Sequence, residues 1–230
     1  MRELARRRLL GALALGASAC LLAGPAAMAQ SSEQQILVDR ARIVVEEFQS
    51  DGNFRQLPVY VQNAYAVMVI PNLLKAGFFI GAEYGKGVLL ARDLRSGAWS
   101  DPAFFDVYGG SLGLQIGGKS SDVILTIMNQ GAVDKLLSSQ FKLGTDASVA
   151  AGPAGVGVGA GTTIQLGEDV YVFERGQGLY GGLTIEGTVF KPHIAWNQSY
   201  YGQPVAPQQI LGGNVSNAGS APLREALGRF

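Results

Sequence analysis

Two glycine-rich stretches are the first to suggest chemistry. Gly113-Leu114-Gln115-Ile116-Gly117-Gly118-Lys119-Ser120 spells G-x-x-x-x-G-K-S. That pattern cradles phosphates when a strand leads into it and a helix leads out. Here Leu112, Leu114 and Ile116 alternate as in a strand, and Val123 to Ile127 follow as another strand. No helix N-terminus would point at a phosphate, so the match argues against nucleotide binding. Gly176-Gln177-Gly178-Leu179-Tyr180-Gly181 spells G-x-G-x-x-G and also runs into a β pattern, Leu183 to Phe190. A hairpin turn is expected there.

Catalytic groups are sparse. A nucleophile needs a base beside it, and the only His, His193, sits in a turn-like Lys191-Pro192-His193. It is expected to cap a helix or face solvent. Glu83, Asp122, Asp146 and Glu186 lie in or beside predicted strands and read as surface or turn acids. One Cys and one His leave no multi-His or Cys-rich metal site. The sequence therefore predicts no enzyme, no metal and no cofactor.

Composition narrows the class further. Of 230 residues, 18 are basic and 18 acidic, an even balance that lacks the basic excess of a nucleic-acid binder. Hydrophobic residues make up 47%, enough for a folded core. Met1 to Ala29 reads as a cleavable export signal. Arg2, Arg6, Arg7 and Arg8 precede an apolar run from Leu9 to Leu22, and Ala27-Met28-Ala29 is an A-x-A site. Pro25 interrupts the run, which argues against a spanning anchor. Cys20 stands in a poor lipid-attachment context and falls within the signal. The chain from Gln30 onward has 14 basic and 17 acidic residues and no Cys, which suits an oxidising periplasm.

The elements beyond the signal begin with helix. Ser32 and Gln35 have capping-box spacing, and Leu37, Ala41, Val44, Val45 and Phe48 share one stripe. Arg40, Arg42, Glu46 and Glu47 lie off it. A short second helix is expected near Pro58 to Asn63. From Tyr65 the period changes to two. Ala66 to Ile70 reads as a strand ended by Pro71, and Phe78 to Arg92 as a hairpin broken at Gly85-Lys86-Gly87. Strict alternation returns from Val107 to Gly117 and from Ala154 to Ile164, each with a bare glycine face. Such a face weakens a strand unless something packs closely on it. Gly131 to Ser139 reads as helix, Val170 to Glu174 as strand, and Pro222 to Phe230 as helix. That helical end does not fit the closing strand of an outer-membrane barrel. The expected fold is α+β: N-terminal helices packed on a strongly bent, mostly antiparallel, barrel-like sheet with Gly-rich strands.

Short ordered motifs then point to a family. They include Lys75-Ala76-Gly77-Phe78, Gly85-Lys86-Gly87-Val88-Leu89, Trp99 to Phe104, Gly110 to Gly117, and Gly144-Thr145-Asp146-Ala147-Ser148-Val149-Ala150-Ala151-Gly152-Pro153. Gly178 to Leu183, Asn197 to Gly202 and Ile210-Leu211-Gly212 complete the series. In these the chain resembles the SYLF domain family. The resemblance divides the chain into a signal, 1–29, a SYLF-like domain, 30–212, and a C-terminal tail, 213–230. It implies a lipid-binding module. Eukaryotic members bind phosphoinositide membranes and, in fungi, actin, often beside an SH3 or FYVE domain, whereas bacterial members are mostly exported.

A lipid site needs Lys or Arg beside apolar surface. Lys75, Lys86, Arg92 and Arg95, with Phe78 and Phe79 among them, form the densest such cluster and are the candidate lipid-binding residues. The expected partner is an anionic phospholipid or membrane surface of the cell envelope. The alternative is an envelope structural or interaction module that binds a protein partner and has no lipid affinity.

Overall fold

A computed structural model describes residues 32–77, 80–112, 117–138, 140–155, 167–176 and 187–230. Ser31–Phe230 forms one compact unit. Residues 1–31, Phe78, Phe79, Gly113 to Ile116, Glu186, most of the second alternating stretch and most of G-x-G-x-x-G lie outside the described residues.

Helix α1 spans Glu33–Ser50. Ser32 caps it, its Oγ accepting from the Gln35 amide at 3.2 Å. The predicted box closes only on that side. The Gln35 side chain instead donates to Asp39 at 2.9 Å and to the Gly219 carbonyl at 3.0 Å. The predicted stripe is buried throughout. Helix α2, Leu57–Asn63, starts with Pro58 in its first turn.

Among the described residues eight strands follow: β1 Ala66–Gly77, β2 Ile80–Ala91, β3 Ala103–Leu112, β4 Gly117–Ile127, β5 Phe141–Lys142, β6 Val149–Ala151, β7 Val170–Gly176 and β8 Val189–Pro192. They form one curled half-barrel sheet in the order β5-β8-β3-β2-β1-β4-β7-β6. All described pairings are antiparallel except β6 with β7. The remaining helices are α3 Gln130–Leu136, α4 Ile194–Tyr201, α5 Pro207–Leu211 and α6 Ala221–Gly228. The α+β architecture, with N-terminal helices on a bent sheet, is as the sequence predicts.

Helices pack on both faces of the sheet. Val67, Val69, Val88, Leu90, Phe104, Ile124 and Phe173 meet α1, α2 and α6 on one face. Ala66, Met68, Ile70, Leu89, Phe105, Val123 and Leu125 meet α3 and α5 on the other. Full burial of each large side chain contributes roughly 1.5–3 kcal/mol. Residues 213–230, set apart in the sequence as a tail, are packed into the domain. Leu223, Ala226 and Leu227 of α6 are buried against the α1 face.

Two strand expectations are overturned. Pro71 does not end β1, because the strand carries it in a bulge. The register with β2 shifts between Val69 and Leu74, and that with β4 between Ile70 and Leu73. A bulge tolerates a residue that cannot donate to the ladder. Asn72 takes φ 54°, a conformation Asn adopts more readily than most residues. Its amide donates to Asp122 Oδ1 at 3.1 Å, and Ser120 Oγ donates to its Oδ1 at 3.3 Å. Nor does Gly85-Lys86-Gly87 turn; it runs through the middle of β2. A Cβ on Gly87 would sit 3.0 Å from Ile70 Cγ1 and 3.2 Å from the Val69 carbonyl. The glycines are therefore bare because the β1 bulge lies over them.

Candidate functional site

The bulge reverses which side chains face which way. Before it, Met68 and Ile70 face the α3 side and Val69 the α1 side. After it, Leu73 faces the α3 side, so Leu74 turns toward α1. Leu74 pairs with Tyr84 across β2, and Lys86 follows Tyr84 on the same face. Leu74 and Tyr84 remain 54% and 50% exposed.

This half of the sheet, the first two turns of α1 and Trp196 of α4 enclose a groove of about 300 Å³. Glu33, Ile36, Leu37 and Arg40 line it from the helix, at the three- and four-residue spacing of one helical face. Pro71 and Leu74 line it from β1. Lys86 extends over two rings, its Nζ 4.9 Å from the Trp196 centroid and 5.1 Å from that of Tyr84. Nζ also donates to the Tyr84 hydroxyl at 2.7 Å. Among the described residues, neither Lys86 nor Arg40 has a carboxylate partner within ion-pair distance.

Helix α4 is held so that Trp196 reaches this place. Asn197 is fully buried. Its Oδ1 accepts from the Phe104 amide at 2.8 Å and its Nδ2 donates to the Phe104 carbonyl at 3.3 Å. The side chain thus pairs with β3 as a neighbouring strand would. His193 is the N-cap residue of α4, stacks on Trp196 at 5.1 Å, and has Nε2 4.0 Å from Asp106.

The predicted cluster of cations is divided. Lys75 lies on the opposite face from Lys86, paired at 3.2 Å with Glu83, whose side chain is 3% exposed. Glu83 also accepts from Thr188 at 3.2 Å. Beside them Lys119 pairs with Glu174 at 2.7 Å, and Ser121 donates to Glu174. Burial opposes the Glu174 charge. The Lys119 and Ser121 hydrogen bonds, with the charges of Lys75 and Lys119, outweigh burial and hold its carboxyl below its ordinary value. This is a charge-balanced basin. Arg92 is six residues beyond Lys86, ~20 Å along an extended strand. It donates to the Gln62 carbonyl and lies over Trp99. Arg95 is in the exposed turn after β2, its amide bonded to Asp93 Oδ1 at 2.8 Å. Phe78 and Phe79 lie outside the described residues. Of the described sequence candidates, Lys86 is the one lining the groove.

The groove residues that sequence reasoning passed over are Arg40 and Trp196. The available signal was Ile36 and Ile43, apolar residues flanking Arg40 off the buried stripe and 41% and 45% exposed.

The acids that the sequence places in or beside strands do not converge among the described residues. Glu83 faces the α3 side and Asp122 the α1 side, where it holds the bulge. Asp146 Oδ2 accepts from the Lys142 amide at 2.6 Å and closes the turn at Gly144. Glu186 lies outside the described residues. Gly117 to Ser120 are strand, part of β4, and Lys119 of the apparent phosphate loop is bound to Glu174.

The most specific sequence run, Gly144 to Pro153, is thereby given a structural role. Ser148 contacts Asp169, its amide donating at 2.8 Å, and Gly152 lies against the Phe173 ring. Residues 108–230 match the family described as Ysc84: Las17-binding protein actin regulator. The chain belongs to the Ysc84 family. SH3 domain-containing protein PJ696.02 of Schizosaccharomyces pombe is 30% identical over 187 residues, covering 80% of this chain and 43% of that protein. Protein YSC84 of Saccharomyces cerevisiae is 30% identical over 179 residues, 76% of this chain and 38% of its own. SH3 domain-containing YSC84-like protein 1 of Bos taurus is 28% identical over 182 residues, covering 78% and 53%. The match thus spans about half or less of each of these Ysc84 relatives. This family is the one the SYLF resemblance indicates.

Proposed function

We propose that this chain is an exported, non-enzymatic domain that binds an anionic membrane surface at the groove between α1, the β1 bulge and α4. The observation that carries the reading is the conjunction of Arg40 and Lys86, without carboxylate partners among the described residues, with exposed Ile36, Leu74 and Tyr84. Cations beside open apolar surface suit a lipid headgroup layer, whereas an ordinary solvated hairpin has no need of a groove. Each such cation contributes about 1 kcal/mol near an anionic surface. Removing both therefore weakens binding about 30-fold. The family description names an actin regulator, and the relatives that match carry further sequence of their own. An exported chain meets no actin, so the membrane-facing part of the SYLF reading is the part adopted for this chain.

The test is vesicle co-sedimentation of Ser31–Phe230, the compact unit, with phosphatidylcholine vesicles against phosphatidylglycerol or cardiolipin vesicles at low and high salt. Binding is expected only to the anionic vesicles, falling with salt and falling further in Arg40→Ala/Lys86→Ala. Absence of binding to every vesicle would overturn the reading and favour the envelope protein-interaction module. N-terminal sequencing of the protein recovered from the cell envelope tests export, with Gln30 as the expected first residue.

A further inference from the structure

The groove has a property that a flat adsorbing surface lacks: it is a bounded space with a definite charge. Its volume, about 300 Å³, is at the lower end of small-molecule sites. Its ionic lining consists of Arg40, Lys86 and Glu33, a net single positive charge. The cations come from opposite walls, Arg40 from α1 and Lys86 from β2. Between them, Ile36, Pro71 and Leu74 give an apolar floor and side. Lys86 Nζ lies 4.9 Å from the Trp196 ring centroid and beside the edge of Tyr84. In place of a paired carboxylate it has a phenol oxygen, a weaker partner for a cation.

We infer that this groove takes up one molecule of a singly charged phosphodiester amphiphile, with the phosphate between Arg40 and Lys86 and the first part of an acyl chain against Leu74 and Ile36. This rests on the membrane reading above and sharpens it, from attraction to a charged surface to recognition of one lipid molecule. The single net charge matches a glycerophosphodiester. A phosphomonoester bears up to one more negative charge and would face Glu33. When the phosphate draws the Lys86 ammonium away from the Trp196 ring, the indole changes its surroundings and reports the event.

The experiment uses Ser31–Phe230 carrying Trp99→Phe, which leaves Trp196 as the only indole. Dihexanoyl phosphatidylglycerol is titrated below its micelle concentration, with dihexanoyl phosphatidylcholine, dihexanoyl phosphatidic acid and glycerol phosphate as comparison probes. The expected result is a saturable, one-to-one change in Trp196 emission with phosphatidylglycerol. Affinity is expected to be at least tenfold lower for the choline lipid and for glycerol phosphate, which lack net charge and acyl chain respectively. Phosphatidic acid should bind more weakly than phosphatidylglycerol, and Glu33→Gln should narrow that gap. Arg40→Gln, at an exposed helix position, and Lys86→Ala should each abolish saturation while the far-ultraviolet spectrum is retained. Sedimentation with anionic vesicles but no saturable binding of the monomer would overturn this inference and leave the surface reading standing. Equal affinity for the choline lipid would overturn it as well. Failure of both monomers and vesicles to bind would overturn the two together.

Discussion

Asn197 joins the fold to the groove, and replacing it with Ala separates two consequences. The side chain is fully buried and serves the Phe104 backbone on both sides. The Phe104 carbonyl keeps a partner in Asn197→Ala, because the His193 amide also donates to it at 2.8 Å. The Phe104 amide, also buried, loses the acceptor on which its hydrogen bond depends. An orphaned buried donor costs about 1–3 kcal/mol, so the variant should lose about 2 kcal/mol. For a domain of this size that corresponds to a fall in Tm of ~4–8 °C. Urea denaturation followed by circular dichroism measures the first quantity and a thermal melt the second. Asn197 also fixes α4, so Trp196 should become more mobile and its emission shift toward that of a solvated indole. A stability change within ~0.5 kcal/mol, the range of an ordinary surface substitution, would refute the argument that this amide replaces a strand neighbour.

Three further outcomes follow from the placement of charges and rings. Lys75→Ala strands buried Glu83 and should cost up to ~3 kcal/mol by urea denaturation, whereas Lys86→Ala should leave stability nearly unchanged and weaken vesicle binding; equal stability losses would contradict the division of the two lysines between opposite faces. Glu174 has its carboxyl held below the ordinary 4.5, so its contribution is complete above that pH and is lost as pH falls through the lowered folded value. Glu174→Gln should therefore flatten the acid limb of a stability-against-pH curve below about pH 4.5, and an unchanged acid limb would count against the basin. Gly152→Ala puts a methyl into the Phe173 ring and should cost about 1–3 kcal/mol, read as a lower urea midpoint.

The helices were legible because their signals are local. Ser32, the 37-41-44-45-48 stripe and the Pro58 start are all contained within one helix or its cap. Strands β4 and β7 were legible from β-branched runs at Val123 and Val170. The bulge was not, because Pro71 in isolation reads as a stop and only the neighbouring strands show that the chain continues. Gly85-Lys86-Gly87 was misread for the same reason. Its glycines answer to Ile70 and Val69 on another strand, and a turn signal carries no information about what lies overhead. The proposed cation cluster relied on nearness in sequence. One reversed parity puts Lys75 and Lys86 on opposite faces, and the length of β2 carries Arg92 away from both. Arg40 and Trp196, on α1 and α4, meet at the groove only through the tertiary fold.

The bulge in β1 also divides the sheet into two domains of cohesion. On one side of Pro71, Val67 to Ile70 is bonded to β2 and β4 and is enclosed by apolar side chains on both faces. On the other, Leu73 to Gly77 carries an open groove on one face and ion pairs on the other. Local opening takes place where apolar enclosure is thin, at a free energy below that of global unfolding. The two halves of one strand are therefore expected to open at different free energies, with the proline bulge as the seam. Hydrogen exchange should therefore be faster in the groove-lining half than from Val67 to Ile70, and a guest in the groove would slow it in that outer half first.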